Sequence, residues 1–172
     1  MNPVLYIFSG LPGSGKSTLA MKLAKKTKAS YFRIDTIEQG IRDLCSFNVQ
    51  GEGYRLTYKI VEDNLKIGNN VVSDSCNPLN ITRNEWEDVA KKCNANYVNI
   101  EVICTNTIDH KDRIKNRISE IDGIKLPDWQ EIQNRDYDVW IKPHITIDTA
   151  NRSVDESINE LYEKLEIIKF DY

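Results

Sequence analysis

Gly10-Leu11-Pro12-Gly13-Ser14-Gly15-Lys16-Ser17 fits the spacing G-x-x-x-x-G-K-[ST] at every fixed position. The chemistry of phosphate binding accounts for each part. Glycines let the backbone curl so that successive N–H groups point inward at phosphate oxygens. A helix that starts at the end of such a loop adds its positive pole. In this pattern Lys16 reaches the β- and γ-phosphates, the Ser17 hydroxyl is a ligand for Mg²⁺, and Thr18 adds a further hydroxyl. Gly10, Pro12, Gly13, Ser14, Gly15, Lys16, Ser17 and Thr18 are therefore the candidate nucleotide contacts. The bland alternative is a glycine-rich strand-to-helix turn.

Other residues decide what such a loop would serve. No N-K-x-D segment is present, so the base-reading signature of a GTPase is missing. The segment Val71-Val72-Ser73-Asp74-Ser75 ends in Asp-Ser and not in Asp-Glu, so no carboxylate beside Asp74 activates water. This tilts the reading toward phosphoryl transfer to an acceptor. Asp74 is a candidate to hold Mg²⁺ through water or to orient a substrate group. Transfer also needs a base for the acceptor hydroxyl and cations around the moving phosphoryl group. Asp35 follows the second predicted strand and suits the role of base; equally, it suits the role of N-cap for a helix from Thr36. Lys111, Arg113, Lys115 and Arg117 form the strongest basic cluster, with Arg113 and Arg117 four apart on one predicted helix face. Arg83 and Asn77 are weaker candidates for substrate contact, and Pro78 makes Asn77 equally suited to a turn. His110 and His144 lack any partner constellation and read as incidental. Trp86 reads as core, whereas Trp129 and Trp140 are candidates to line an acceptor pocket.

The elements that must position these residues alternate along the chain. Apolar runs at 4–8, 30–34, 70–73, 97–104 and 145–147 predict five strands. Helical spacing predicts helices over 16–26, from Thr36, around Tyr54 to Leu65, from a capping box at Thr82–Glu85, over 107–119, from Asp128, and from a second capping box at Ser153–Glu156. Residues 48–53 read as a loop. Such alternation predicts an α/β layered domain, residues 1–172, with a parallel sheet whose ligands bind at the carboxyl ends of the strands.

Composition narrows the classes further. The chain has 172 residues, enough for one core and too few for two. Its net charge of −3 disfavours an extended nucleic-acid partner. The longest apolar run is far too short to span a bilayer, and Met-Asn-Pro offers no basic leader, so a cytoplasmic location and no membrane association are expected. The four cysteines show no C-x-x-C spacing and have only two histidines for company, which speaks against zinc.

Several segments together carry a resemblance. They are Arg33-Ile34-Asp35-Thr36-Ile37-Glu38-Gln39, Gly51-Glu52-Gly53-Tyr54-Arg55, Glu62-Asp63-Asn64-Leu65, Val72 to Leu79 with Arg83 and Trp86, the Arg113/Arg117 helix, and Asp148-Thr149-Ala150. With the phosphate loop they resemble the small P-loop kinases related to bacteriophage polynucleotide 5'-kinase. That group includes zeta-type and chloramphenicol phosphotransferases and adenylylsulfate-kinase-like "AAA family ATPase" proteins, and the match is nearest to its bacterial, uncharacterised branch. The resemblance implies a three-layer P-loop fold with a five-stranded parallel sheet, like that of nucleoside-monophosphate kinases. It implies ATP and Mg²⁺ as cofactors. It makes Asp35 the base, puts Arg113 and Arg117 in a mobile lid at about 107–127, sets Thr149 beside the adenine, and assigns Asp74 to the acceptor site with Arg42, Asn77 and Arg83 nearby. One position departs: polynucleotide kinases carry an Arg three residues after the base, where this chain has Glu38, and its nearest Arg is Arg42. The expected activity is thus ATP-dependent phosphorylation of a hydroxyl on a small-molecule acceptor. The alternatives are a nucleotide or polynucleotide 5'-hydroxyl kinase, or a nucleotide-binding regulator with little turnover. Oligomeric state is left open.

Overall fold

The structure is a computed structural model that describes residues 2–167. Its elements run β1 (Val4–Ser9), α1 (Lys16–Thr27), β2 (Ser30–Arg33), α2 (Ile34–Cys45), α3 (Glu52–Lys66), β3 (Val71–Asp74), α4 (Asn80–Lys92), β4 (Asn96–Ile103), α5 (Thr107–Lys115), α6 (Trp129–Gln133), β5 (Ile145–Asp148) and α7 (Val154–Ile167). The strands form a five-stranded sheet in the order β2-β3-β1-β4-β5. Every pairing is parallel, and in the centre of the sheet Phe8 lies opposite both Asp74 and Ile100. The continuous apolar run of β1 is explained by this position, because a central parallel strand is buried on both faces.

Two cores flank the sheet. On one face Leu19, Leu23, Ile158 and Leu161 from α1 and α7 pack on Phe8, Val72, Ile100, Val102 and Ile147. On the other, Val61, Leu65, Trp86, Val89 and Ala90 from α3 and α4 pack on Leu5, Ile7 and Val71. The result is the expected three-layer α/β arrangement, and Trp86 is wholly buried as the sequence indicated.

Some helix ends differ from the sequence reading, for physical reasons. α2 begins at Ile34, directly after β2, so Asp35 sits inside the first helical turn and is not its cap. α3 begins at Glu52, which draws Gly53 out of the predicted loop and into a helix. The capping box at Thr82–Glu85 does not form; α4 starts at Asn80, and its Asn80 N–H donates to Asp138 Oδ2 at 2.7 Å instead. The box at Ser153/Glu156 does form, and the structure adds one at Asp128/Glu131, where the sequence indicated only a helix start. α5 ends at Lys115, so Arg117 lies beyond its cap residue Asn116 and shares no helix face with Arg113.

Candidate functional site

The loops that leave the carboxyl ends of β1, β2 and β3 meet at one cleft of about 690 Å³. Its floor is the phosphate loop. Gly10 (φ +143°) is pressed against β4 so closely that a Cβ would lie 2.2 Å from the Val102 carbonyl oxygen. Gly13 (φ +80°) is pressed against α5, where a Cβ would meet Ile114 Cδ1 at 2.5 Å. Both positions thus require glycine for conformation, and Gly10, which meets backbone, requires it for space as well. No side chain caps α1, so its first-turn N–H groups and positive pole face the loop.

Beneath the loop, Lys16 Nζ donates to Asp74 Oδ1 at 2.7 Å, and the Tyr31 hydroxyl donates to Asp74 Oδ2 at 2.6 Å. Lys16 also donates to Ser17 Oγ at 3.4 Å. Arg33 Nε stands 3.9 Å from Asp74 Oδ2 and is buried without a hydrogen-bond partner. The Asp74 side chain is 0% exposed and that of Lys16 10%. Burial by itself would lower the Lys16 pKa, but the Asp74 carboxylate outweighs it and the ammonium is held above its ordinary value. Burial would likewise raise Asp74, and the Lys16 charge outweighs it, holding the carboxyl below the usual range. For Tyr31, burial and then the Asp74 charge push the phenol far up.

This corrects the expectation that Asp74 contacts a substrate. It does not line the cleft; both its oxygens are taken by Lys16 and Tyr31. A direct metal bond would have to displace one of them. Among the described residues no group of three or more His, Cys, Asp or Glu could hold a metal by itself. The set still suits Mg²⁺, which keeps several waters and takes one or two protein oxygens beside phosphate oxygens. Ser17 supplies one such oxygen at the cleft, and Asp74 lies directly behind it.

Two further expectations are corrected. Arg83 is 2% exposed, and its guanidinium donates to the carbonyls of Asn77 (2.9 Å), Pro78 (3.1 Å) and Asp138 (2.9 Å). It also stacks on Trp140 at 4.1 Å and on Tyr137 at 4.9 Å. All this holds the 134–144 segment to the start of α4 and leaves nothing for a substrate. Asn77 is buried in a left-handed conformation (φ 44°), and its amide donates to the Phe8 carbonyl at 3.0 Å. Neither residue lines the cleft, nor does Trp129 or Trp140; Trp129 packs edge-on against His110 and Trp140 stacks on His144.

Asp35, Arg42, Arg113 and Arg117 do line it, together with Glu38, Gln39, Cys76 and Arg135, which the sequence did not single out as contacts. Asp35, Glu38, Gln39 and Arg42 all come from α2, spaced so that they share its cleft side. Arg113 is fixed before any ligand arrives. It pairs with both Asp109 oxygens at 2.9 and 2.8 Å and donates to Thr149 Oγ1 at 2.7 Å and to the Thr149 carbonyl at 2.8 Å. Thr149 Oγ1 in turn donates to the Ser14 carbonyl at 2.8 Å, so it braces the phosphate loop from behind. His110, read as incidental, is a second brace: its Nε2–H donates to the Pro12 carbonyl at 2.7 Å. No local signal marks it; only packing of α5 on the loop reveals the role. Beside Gly15 and Thr18 a smaller cavity of about 280 Å³ opens between Arg113, Thr149, Arg152 and Val154.

Known proteins are similar to this chain in sequence and in fold. The family model for the AAA domain matches residues 5–128. The L-seryl-tRNA(Sec) kinase of Methanococcus maripaludis is 28% identical over 175 residues, covering 93% of this chain; the chain spans 65% of that relative's length. In fold it is similar to the Mycobacterium tuberculosis APS kinase CysC in complex with AMPPNP and APS (TM-score 0.70, 20% identity, 96% of this chain and 98% of that one). It is also similar to Chaetomium thermophilum Kti12 in complex with ADP-AlF3 (TM-score 0.70, 19% identity, 94% and 97%). The match over residues 5–128, from β1 and the phosphate loop through α5 to the segment before α6, makes this chain a member of the AAA domain family, in its P-loop kinase group.

Proposed function

We propose that the chain is an ATP- and Mg²⁺-dependent phosphotransferase that moves the γ-phosphoryl group to a hydroxyl of a small-molecule acceptor. The observation that carries the reading is the presence of Asp35 in the same cleft as the phosphate loop, with no carboxylate after Asp74 to activate water. The relative from Methanococcus maripaludis is named as a kinase of a seryl hydroxyl carried on tRNA. A small acceptor is preferred here because the net charge is −3 and, among the described residues, no aromatic side chain lines the cleft to stack a base.

The residues divide the work as follows. The N–H groups of the loop and the α1 terminus receive the phosphates, while Lys16 leaves Asp74 for the β- and γ-oxygens. The Ser17 hydroxyl and, through water, Asp74 would hold Mg²⁺, which supplies charge neutralisation across those oxygens when bound. The adenosine lies in the smaller cavity by Thr149 and Arg113. Asp35 accepts the acceptor's proton as the acceptor oxygen bonds to the γ-phosphorus; the β–γ bridging bond breaks, and ADP leaves with the electron pair. Arg117 offsets charge on the moving phosphoryl group, while Arg113, held by Asp109 and Thr149, shapes the nucleotide site. The test is ATP consumption with and without pooled hydroxyl metabolites. Acceptor-dependent ADP release with a phosphorylated product supports the reading, and acceptor-independent turnover at the same rate refutes it.

A further inference from the structure

The acceptor end of the cleft carries groups that neither the phosphate loop nor the base uses. α2 sends Glu38, Gln39 and Arg42 into it, and the segment after α5 brings Lys125 and Arg135. Glu38 has a seat built for it. At Gly53 of α3 a Cβ would lie 2.2 Å from Glu38 Cγ and 2.9 Å from its Oε1, so the side chain occupies space that any other residue would fill. Burial raises the Glu38 pKa against the opposing pull of Arg42. Arg42 itself is weakly engaged, with contacts of 3.4 Å to Glu38 and 3.5 Å to Gln39. Among the described residues Arg135 has no carboxylate in ion-pair range, and Lys125 reaches only the exposed Glu131 at 3.4 Å.

Charge and shape then select the ligand. Once a triphosphate engages Lys16 and Arg117, Arg42 is paired only loosely with Glu38, Lys125 is paired with Glu131, and Arg135 is left, among the described residues, with no carboxylate in ion-pair range. A concave site with an uncompensated cation favours an anion. Among the described residues no aromatic ring lines the cleft, which leaves no stacking platform for a base or an aromatic acceptor. We infer that the acceptor is a small aliphatic hydroxy compound with an anionic group of its own, a carboxylate or phosphate ester held by Arg42 and Arg135, while Glu38 accepts a hydrogen bond from a neighbouring hydroxyl. This rests on the kinase reading. The transfer balances as before: the acceptor O–P bond forms, ADP departs, and the hydroxyl proton goes to Asp35.

Matched pairs test it. Gluconate against glucose, glycerate against glycerol, and glycerol 3-phosphate against glycerol are offered with Mg·ATP, and products are read by mass spectrometry. The last two pairs separate carboxylate from phosphate recognition. The anionic member is expected to be favoured by about 100-fold in kcat/KM, the size of a well-placed charge contact. Arg42→Ala and Arg135→Ala should each raise the KM for that acceptor about 10-fold or more and leave the AMPPNP Kd unchanged, with Arg42→Lys recovering part of the loss. A neutral member used equally well, variants with an unaltered acceptor KM, or no product from any anionic member while AMPPNP binds would each overturn the proposal. Failure of AMPPNP to bind would instead overturn the kinase reading beneath it.

Discussion

Replacing the phosphate-loop lysine should do more than weaken nucleotide binding, because Lys16 is also the counter-ion of a buried carboxylate. At 2.7 Å and an effective dielectric of about 20, the Lys16–Asp74 attraction is about 6 kcal/mol before desolvation. In Lys16→Ala, Asp74 keeps the Tyr31 hydroxyl and has Arg33 Nε at 3.9 Å, but its charge is otherwise uncompensated. Removing one partner of such a pair costs roughly 3–5 kcal/mol, or roughly 6–20 °C in Tm for a chain of this size. Asp74→Asn should destabilise through the stranded ammonium. The double variant should recover about 2–3 kcal/mol relative to the sum of the single losses, because neither charge is then buried alone. It should still fail to bind AMPPNP. The pH dependence follows from the directions of the shifts. In the native protein the Asp74 pKa is lowered, so its contribution is present above about pH 4 and is lost as pH falls through the folded value. The Lys16 pKa is raised, so its contribution is present below about pH 10 and is lost as pH rises through the folded value. Without Lys16 the largest force opposing the burial of Asp74 is gone and only hydrogen bonds such as that from Tyr31 remain, so its pKa rises above the native value and the stability gap between Lys16→Ala and native protein should narrow on acidification. Thermal melts of the four proteins from pH 4 to 9 decide the matter. Strictly additive losses, or a gap that widens toward low pH, would refute the coupling.

Other outcomes follow from the cleft. Asp35→Asn should lower kcat by about 100-fold or more with little change in nucleotide Kd, since its carboxylate faces the acceptor; full activity would leave Asp35 only a first-turn helix residue. Gly53→Ala should push Glu38 from its seat, an overpacking of roughly 1–3 kcal/mol, and raise acceptor KM much more than ATP KM; an unchanged acceptor KM would deny Glu38 a role. His110→Ala should loosen the Pro12 end of the loop and weaken AMPPNP about 10-fold, a loss of about 1.4 kcal/mol, whereas equal affinity would mean that the loop holds its shape unaided. In hydrogen exchange, AMPPNP with Mg²⁺ should protect residues 116–127 and leave α5 unchanged; equal gains in both would put the hinge before α5.

Much of this was legible in the sequence where the determinant is local. The phosphate loop is a spacing of glycines, the central strand is an apolar run, and the Ser153–Glu156 capping box is a four-residue pattern; these formed where expected. What the sequence could not supply was set by distant partners. The start of α4 is fixed by Asp138, 58 positions away, which displaced the local Thr82 box. Arg83 and Asn77 looked like substrate contacts because they follow the third strand, yet the first is clamped by the Asp138–Trp140 segment and the second by the β1 carbonyl of Phe8. His110 looked idle because its partner is a backbone carbonyl, which leaves no trace in side-chain pattern.

The two arginines expected to share a lid helix are separated by the helix end, and this changes what the lid is. α5 is pinned along its length: Asn106 caps it through Ile108 and Asp109, His110 holds Pro12, Ile114 fills the space beside Gly13, and Arg113 holds Thr149. Lifting it would break several hydrogen bonds of about 1 kcal/mol each and strip the phosphate loop of its support. Residues 116–128 have far less to lose. Ile118 is 89% exposed, and the tie from Glu120 to Arg33 is a single contact of 3.2 Å on an exposed carboxylate. We therefore place the hinge of the proposed lid near Asn116, with the far end anchored where Trp129 meets His110. On this geometry Arg113 is a preset part of the nucleotide site, and Arg117 is the arginine whose position depends on closure. The two variants should then differ in kind: Arg113→Ala weakening nucleotide binding itself, Arg117→Ala slowing transfer with the nucleotide still bound.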